Sequence, residues 1–442
     1  MSSSPDSPRQ GRAARPPKYT HRAASHAQAH SDSSHLQETR HTEHPLASRD
    51  RPQLVTRPDE LAELLDSLRK AGSFAYDSEF IGELTYLPKL CLVQAASSTR
   101  IALIDPLTDL DIRPFWELVA DPTVEKIVHA GQQDVEPVFR ALGKPPANLF
   151  DTQIAAGFAG VGYPLSLSKL VFAMVGAKLS KGLTFSHWDR RPLSDHQLRY
   201  AADDVRYLPA VRHEIGQRLD HQQHVRWAME ESAALADPAL YVFDPETQWT
   251  KIRGAGVLPP RNQALLRELT IWRDDSAKAE DVPPRSLLKD EILLDMARSP
   301  IEAQADLTRV KGLPRPVEAK YGAGIVQATQ RARELPQEQL PVMKGYEPAP
   351  EEKFGGDALF YATQCLCAAQ GIDPSLVTSR QEIGELHRIF MSEQKPPDLR
   401  VLRGWRREAV GEPLLDLMRG RGELTVKWMN GTLRVPPDNA RE

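Results

Sequence analysis

Two carboxylates, Asp77 and Glu79, interrupt the run Phe74-Ala75-Tyr76-Asp77-Ser78-Glu79-Phe80, whose aromatics and alanine otherwise spell a core β-strand. Successive strand residues alternate faces, so the two acidic side chains share one face and hold two negative charges side by side. That arrangement is costly unless a cation or a shared proton offsets it. Any fold for this chain must therefore seat a carboxylate pair on a core strand, and the pair points to a divalent-metal site.

At roughly 100–200 residues per domain, 442 residues suggest two to four domains. No uninterrupted apolar run approaches the ~20 residues that span a bilayer, and no apolar signal segment follows Met1. The expectation is a soluble, cytoplasmic protein with no membrane partner. Cys91, Cys365 and Cys367 lack the spacing of a zinc site or a disulfide framework. A net charge of −4 argues against binding nucleic acid by bulk positive charge, while leaving local basic patches free to contact phosphates.

Residues 1–50 are rich in Ser, Pro, Arg, Gln and His and carry almost no aliphatic run, so they read as a disordered tail. Its histidines, His21, His26, His30, His35, His41 and His44, are read as solvated rather than as a site. From Leu54 onward the signals alternate: a helix over 58–70, strands near 74–80, 90–96, 101–105 and 125–130, and helices over 132–142, 152–160, 166–176 and 194–218. Three strands joined by short turns suit an antiparallel meander, and the later, helix-separated strand suits a parallel crossover. This is an α/β domain with a mixed sheet over 51–218. A connector follows over 219–259, then helical blocks over 260–335 and 355–436, separated by a Pro- and Glu-rich linker over 336–354.

Two further segments join Asp77 and Glu79. Asp134 closes His129-Ala130-Gly131-Gln132-Gln133-Asp134, where a buried strand runs out and Gln132 opens a helix, the end of an α/β strand where ligands are placed. Asp204 follows Tyr200 by one helical turn, so phenol and carboxylate project from one face, while Asp203 points about 100° away. Singly, each acid has a structural reading as a cap or a solvated charge. Together, four carboxylates on three elements are what two hard cations, Mg²⁺ or Mn²⁺, require. Two such ions activate a water and stabilise the leaving oxygen during attack on phosphorus. Tyr200, with an ordinary pKa near 10, suits orienting that water better than deprotonating it.

The order Asp77-Ser78-Glu79-Phe80, then His129 to Asp134, then Tyr200-Ala201-Ala202-Asp203-Asp204, resembles the DEDD 3′→5′ exonucleases of the subclass with Tyr in the last motif. Leu149-Phe150-Asp151-Thr152-Gln153 and Trp188-Asp189-Arg190-Arg191-Pro192-Leu193 are similar to the ribonuclease D branch. Leu269 to Asp274, Asp281-Val282-Pro283-Pro284, Leu307 to Leu313 and Tyr321-Gly322 resemble an HRDC domain, and Gly371 to Val377 with Gly404 to Glu408 resemble the second helical domain of ribonuclease D.

The resemblance implies a ribonuclease H-like exonuclease domain followed by two small all-α HRDC-like domains. It implies metal ligation by Asp77, Glu79, Asp134 and Asp204, with Tyr200 at the nucleophilic water. The implied activity is removal of nucleotides from RNA 3′ ends as 5′-monophosphates, in tRNA 3′-end maturation, with RNA and tRNA precursors as partners and no obligate protein partner evident. A DNA repair or proofreading exonuclease with the same site, and an inactive RNA-binding scaffold, are the alternatives. Departures are the Gly-Gln-Gln at 131–133 and the His-rich tail.

Near the site, Asp151 is expected to cap the next helix, His129 to be a hydrogen-bonded wall residue and Trp188 a packing residue. Both helical blocks are expected to contact RNA, and a chain ending near residue 250 is expected to keep activity on a short single strand.

Overall fold

The computed structural model describes residues 43–82, 84–180, 186–219, 222–341, 349–392, 398–429 and 432–434. The expected tail lies outside the described residues as far as residue 42. Its last part is corrected by packing: Ala47 is buried, His44 Nε2 lies 3.3 Å from Glu214, and the Ser48 carbonyl accepts from Arg206 Nη1. These contacts hold the segment against the domain, with Ala47 and Ser48 buried. No described helix is long and apolar enough to cross a membrane.

Six strands form one mixed sheet in the order β1-β4-β3-β2-β5-β6. The strands are β1 (Gln53–Val55), β2 (Ser73–Ile81), β3 (Lys89–Ala96), β4 (Ile101–Ile104), β5 (Glu125–Val128) and β6 (Leu149–Asp151). The β2-β3-β4 meander is antiparallel, whereas β1 on β4, β5 on β2 and β6 on β5 are parallel. The two outermost strands, three residues each, are too short to show a period in the sequence.

Helices α1 (Pro58–Ala71) and α2 (Arg113–Val119) cover one sheet face, where Phe74 and Tyr76 meet Phe115 with ring centroids 6.0 and 6.1 Å apart. Helix α3 (Gln132–Leu142) packs beside α2 on this same face, with Val138 in that core, and across the sheet α4 (Thr152–Phe158), α5 (Leu167–Val175), α6 (Asp195–Arg206) and α7 (Leu208–Arg218) complete the domain. The expected helix over 194–218 is two helices, because Tyr207 ends α6 and Pro209 at the start of α7 cannot continue its hydrogen-bond ladder. On this second face Ala75 and Ala96 pack with Ala202 and Val205, and such small side chains let α6 lie close to the sheet.

The stretch 219–259 is not a single connector. Helix α8 (Gln222–Ala233) lies against α4 and β6, whereas Trp249, Ile252, Ala255 and Leu258 belong to the core of the following helices. That second core is built by α9 (Pro260–Glu280), α10 (Pro284–Leu287), α11 (Asp290–Arg298) and α12 (Arg315–Glu334).

The last block contains α13 (Pro350–Gln370), α14 (Pro374–Val377), α15 (Arg380–Met391) and helical turns over 404–418, and where helix is expected further on, the strands Lys427–Met429 and Thr432–Arg434 pair antiparallel. It shares one core with the α/β domain: Trp405 stacks edge-on to Phe158 at 4.7 Å, and Gly157 sits under Leu376, whose Cδ1 would lie 2.4 Å from any added Cβ. Glu231 of α8 receives both Arg406 and the Trp405 indole. A chain ended near residue 250 would strip this core, which corrects the expected tolerance to truncation.

Candidate active site

The site begins where β2 stops pairing regularly. Glu79 opposes Leu92 and Phe80 opposes Leu90, so Cys91 is an extra residue in β3, a bulge that bends the strand beside the two acids. Arg191 locks the bulge from outside. Its Nη2 donates to the Cys91 carbonyl at 2.7 Å and to Asp105 Oδ1 at 2.6 Å, and its Nη1 donates to the Trp188 carbonyl at 2.7 Å. Asp105 is buried, so this paired guanidinium also satisfies a carboxylate that would otherwise be costly. Trp188 packs behind Tyr200, with ring centroids 6.2 Å apart.

Helix α6 brings the second contribution. A capping box starts it: Ser194 Oγ accepts from Gln197 N–H, and Gln197 Oε1 accepts from Ser194 N–H. With the helix start set and alanines against the sheet, Asp204 reaches the β2 pair. One carboxylate oxygen from each of Asp77, Glu79 and Asp204 lies within 4.8 Å of the others. Asp203, on the neighbouring face, pairs instead with Arg206 at 3.0 Å.

Asp134 lies in the first turn of α3, just after the β5–α3 turn, and stands outside that group of three. Ala130 holds φ 55°, and an added Cβ at Gly131 would lie 2.5 Å from Val128. Asp151, 1% exposed, pins the turn: it accepts from the N–H groups of Ala130 and Gly131 at 3.2 and 2.9 Å while capping α4 through Gln153 and Ile154. Its cap was legible in Phe-Asp-Thr-Gln; its hold on the turn that aims Asp134 was not, because the partners lie 20 residues earlier. His129 bonds Thr152 Oγ1 and the Leu165 carbonyl, which makes it a wall residue.

Charge repulsion is stored here. Burial and the Asp77 charge push Glu79 up to about 8, and burial pushes Asp77 up to about 6. Burial, then Asp77, raises both Asp134 and Asp204. Burial, then the charge of Asp204, raises the Tyr200 phenol well above its ordinary value. An all-oxygen donor set whose carboxylates repel one another fits a hard divalent cation, which would relieve the repulsion. Alongside lies an open cleft of about 560 Å³ between the start of α3 and the segment Leu240–Phe243.

Residues 52–220 match the family model described as 3′-5′ exonuclease, and residues 262–329 match the HRDC domain. A ribonuclease D of Gluconacetobacter diazotrophicus is 37% identical over 380 residues, covering 85% of this chain and 95% of the relative. One from Granulibacter bethesdensis is 36% identical, over 84% and 93%. The crystal structure of Escherichia coli RNase D, an exoribonuclease involved in structured RNA processing, is similar with a TM-score of 0.74 at 28% identity, over 85% of this chain and all of that one.

Proposed function

The chain belongs to the ribonuclease D family and is a 3′→5′ exoribonuclease, and from that premise we propose that Asp77, Glu79, Asp134 and Asp204 hold two divalent cations, Mg²⁺ or Mn²⁺, at the scissile phosphate. The observation that carries the reading is the meeting of Asp77, Glu79 and Asp204 within 4.8 Å on the central strand and the helix above it. When bound, such ions supply an activated water for attack on phosphorus and stabilise the leaving oxygen. Asp134, aimed by the Asp151-pinned turn, completes the acidic wall. Burial and then the charge of Asp204 favour the protonated Tyr200 phenol, which suits it to orient the attacking water by hydrogen bonding.

The RNA strand approaches along the cleft beside α3, where Tyr241 and Phe243 offer faces for unstacked bases. The Tyr241 hydroxyl donates to the Leu235 carbonyl at 2.7 Å, which fixes the ring. Lys278 of the HRDC domain sits 5.2 Å over Phe243 and pairs with Asp274, and Asp274 accepts from the Tyr86 hydroxyl of the β2–β3 loop. The helical domain is thus tied to the strand loop that leads out of the site. The E. coli relative's part in structured RNA processing supports precursors of structured RNA, tRNA among them, as substrate.

The test is digestion of RNA and DNA oligomers with free 3′ ends, with Mg²⁺, Mn²⁺ or chelator, beside Asp77→Ala. Stepwise release of 5′-monophosphates from RNA, only with metal and lost in the variant, is expected. Faster digestion of DNA would replace the substrate class, and digestion of a 3′-blocked strand would overturn the polarity.

A further inference from the structure

Gln94 lies on β3 directly opposite Asp77, so the two side chains point to the same face of the sheet, beneath α6. It is fully buried, and neither its amide nitrogen nor its amide oxygen has a hydrogen-bond partner among the described residues. The same face of the two strands carries Ala75, Leu92 and Ala96, all fully buried, so an apolar side chain would fit the surroundings better than an amide. A buried amide without partners is destabilising and rare enough to need a reason. Cross-strand neighbours on one face lie within ~5 Å at Cβ, which puts the Gln94 amide in reach of the Asp77 carboxylate.

We propose that Gln94 is a positioning residue for the metal-holding carboxylates: with a divalent cation bound, its Nε2–H donates to the Asp77 oxygen not turned toward Glu79 and Asp204 and fixes that carboxylate in its ligating orientation. A ligating carboxylate needs such an outer partner, because its second oxygen otherwise leaves it free to rotate out of the site. Helix α6 packs against both β2 and β3 here, and no side-chain donor of the described residues bonds Asp77, whose hydrogen bond comes from the Ser78 backbone. The inference rests on the reading of Asp77, Glu79 and Asp204 as ligands.

The experiment uses the full chain, wild type beside Gln94→Met, which keeps the length and shape of the side chain without its donor, and Gln94→Asn, which keeps an amide too short to reach. Mn²⁺ binding is followed by calorimetric titration and by the loss of the free-ion EPR signal, and thermal unfolding is recorded in chelator. The expected result is a Mn²⁺ affinity 10–100-fold weaker in both variants, with Gln94→Met unfolding in chelator at or above the wild-type temperature. A merely structural glutamine would lower the unfolding temperature and leave affinity alone. Affinity within twofold of wild type in either folded variant overturns the role of Gln94. Failure of the wild type to bind Mn²⁺ overturns instead the ligand reading beneath it. Should Gln94→Met not fold, Gln94→Asn decides by the same criterion.

Discussion

Replacing Asp77 by asparagine should make the metal-free protein more stable while abolishing its activity. In the folded chain Glu79 is pushed up to about 8 and Asp77 to about 6, by burial and, for Glu79, by the Asp77 charge. An acid whose pKa is raised on folding binds protons more tightly in the folded state, so its contribution falls as pH rises from its ordinary value through the raised one. For Glu79 the window runs from 4.5 to about 8. At ~1.4 kcal/mol per pKa unit, the full shift of Glu79 corresponds to ~5 kcal/mol, and partial exposure of the site reduces it to ~2 kcal/mol after solvent screening. Asparagine at 77 leaves the burial of Glu79 in place but removes the Asp77 charge that adds to its shift, together with the cost of burying Asp77 itself, so a gain of ~1–3 kcal/mol at pH 8 is expected, or several degrees in a cooperative unit of this size.

The assay is thermal unfolding in chelator from pH 5 to 9, repeated with Mg²⁺. The wild-type midpoint should fall across the window and level above it. Asp77→Asn should fall less and lie higher at pH 8, and Mg²⁺ should raise the wild type but not the variant. A flat wild-type profile, or a variant less stable than wild type in chelator, would refute the stored repulsion.

Trp405→Ala should cost ~3–5 kcal/mol, read by denaturant unfolding of the α/β domain itself, because the indole is buried against Phe158 and Trp227 in a shared core. A loss confined to the last helical block would mean that the block is only tethered. Joint replacement of Tyr241 and Phe243 by alanine should raise KM for a single-stranded RNA severalfold, at ~1–3 kcal/mol per stacked base, with the thermal midpoint nearly unchanged; a change in kcat alone in steady-state assays would count against the cleft as the strand's path. Asp151→Asn puts an NH₂ where N–H donors converge, so unfolding free energy should drop by ~1–3 kcal/mol and kcat by more than tenfold through the displaced Asp134 turn. Normal kcat in the folded variant would show that the turn holds without it.

What could be read along the chain was what neighbours in sequence enforce. Alternation places Asp77 and Glu79 on one face, helical spacing places Tyr200 with Asp204, and the strand-to-helix change after Val128 marks the Asp134 turn; these periods are local consequences of backbone geometry. Helices such as α1 and α3 and the β2-β3-β4 meander follow from the same short-range signals. The three-residue strands β1 and β6, and α2 with its two aromatics, had no period long enough to be seen.

Other features depend on groups far apart in sequence, and only the tertiary structure decided them. Arg191 meets the Cys91 bulge 100 residues back, Asp151 pins a turn 20 residues before it, and Gln94 owes its meaning to facing Asp77 across two strands. The stretch 219–259 divides between two cores, and the last helical block joins the nuclease through Trp405, Arg406 and Glu231. A residue's own type states that it is apolar or charged. Which apolar face covers it, or which charge answers it, is set by long-range packing, and for this protein that packing determines how the four carboxylates are aimed.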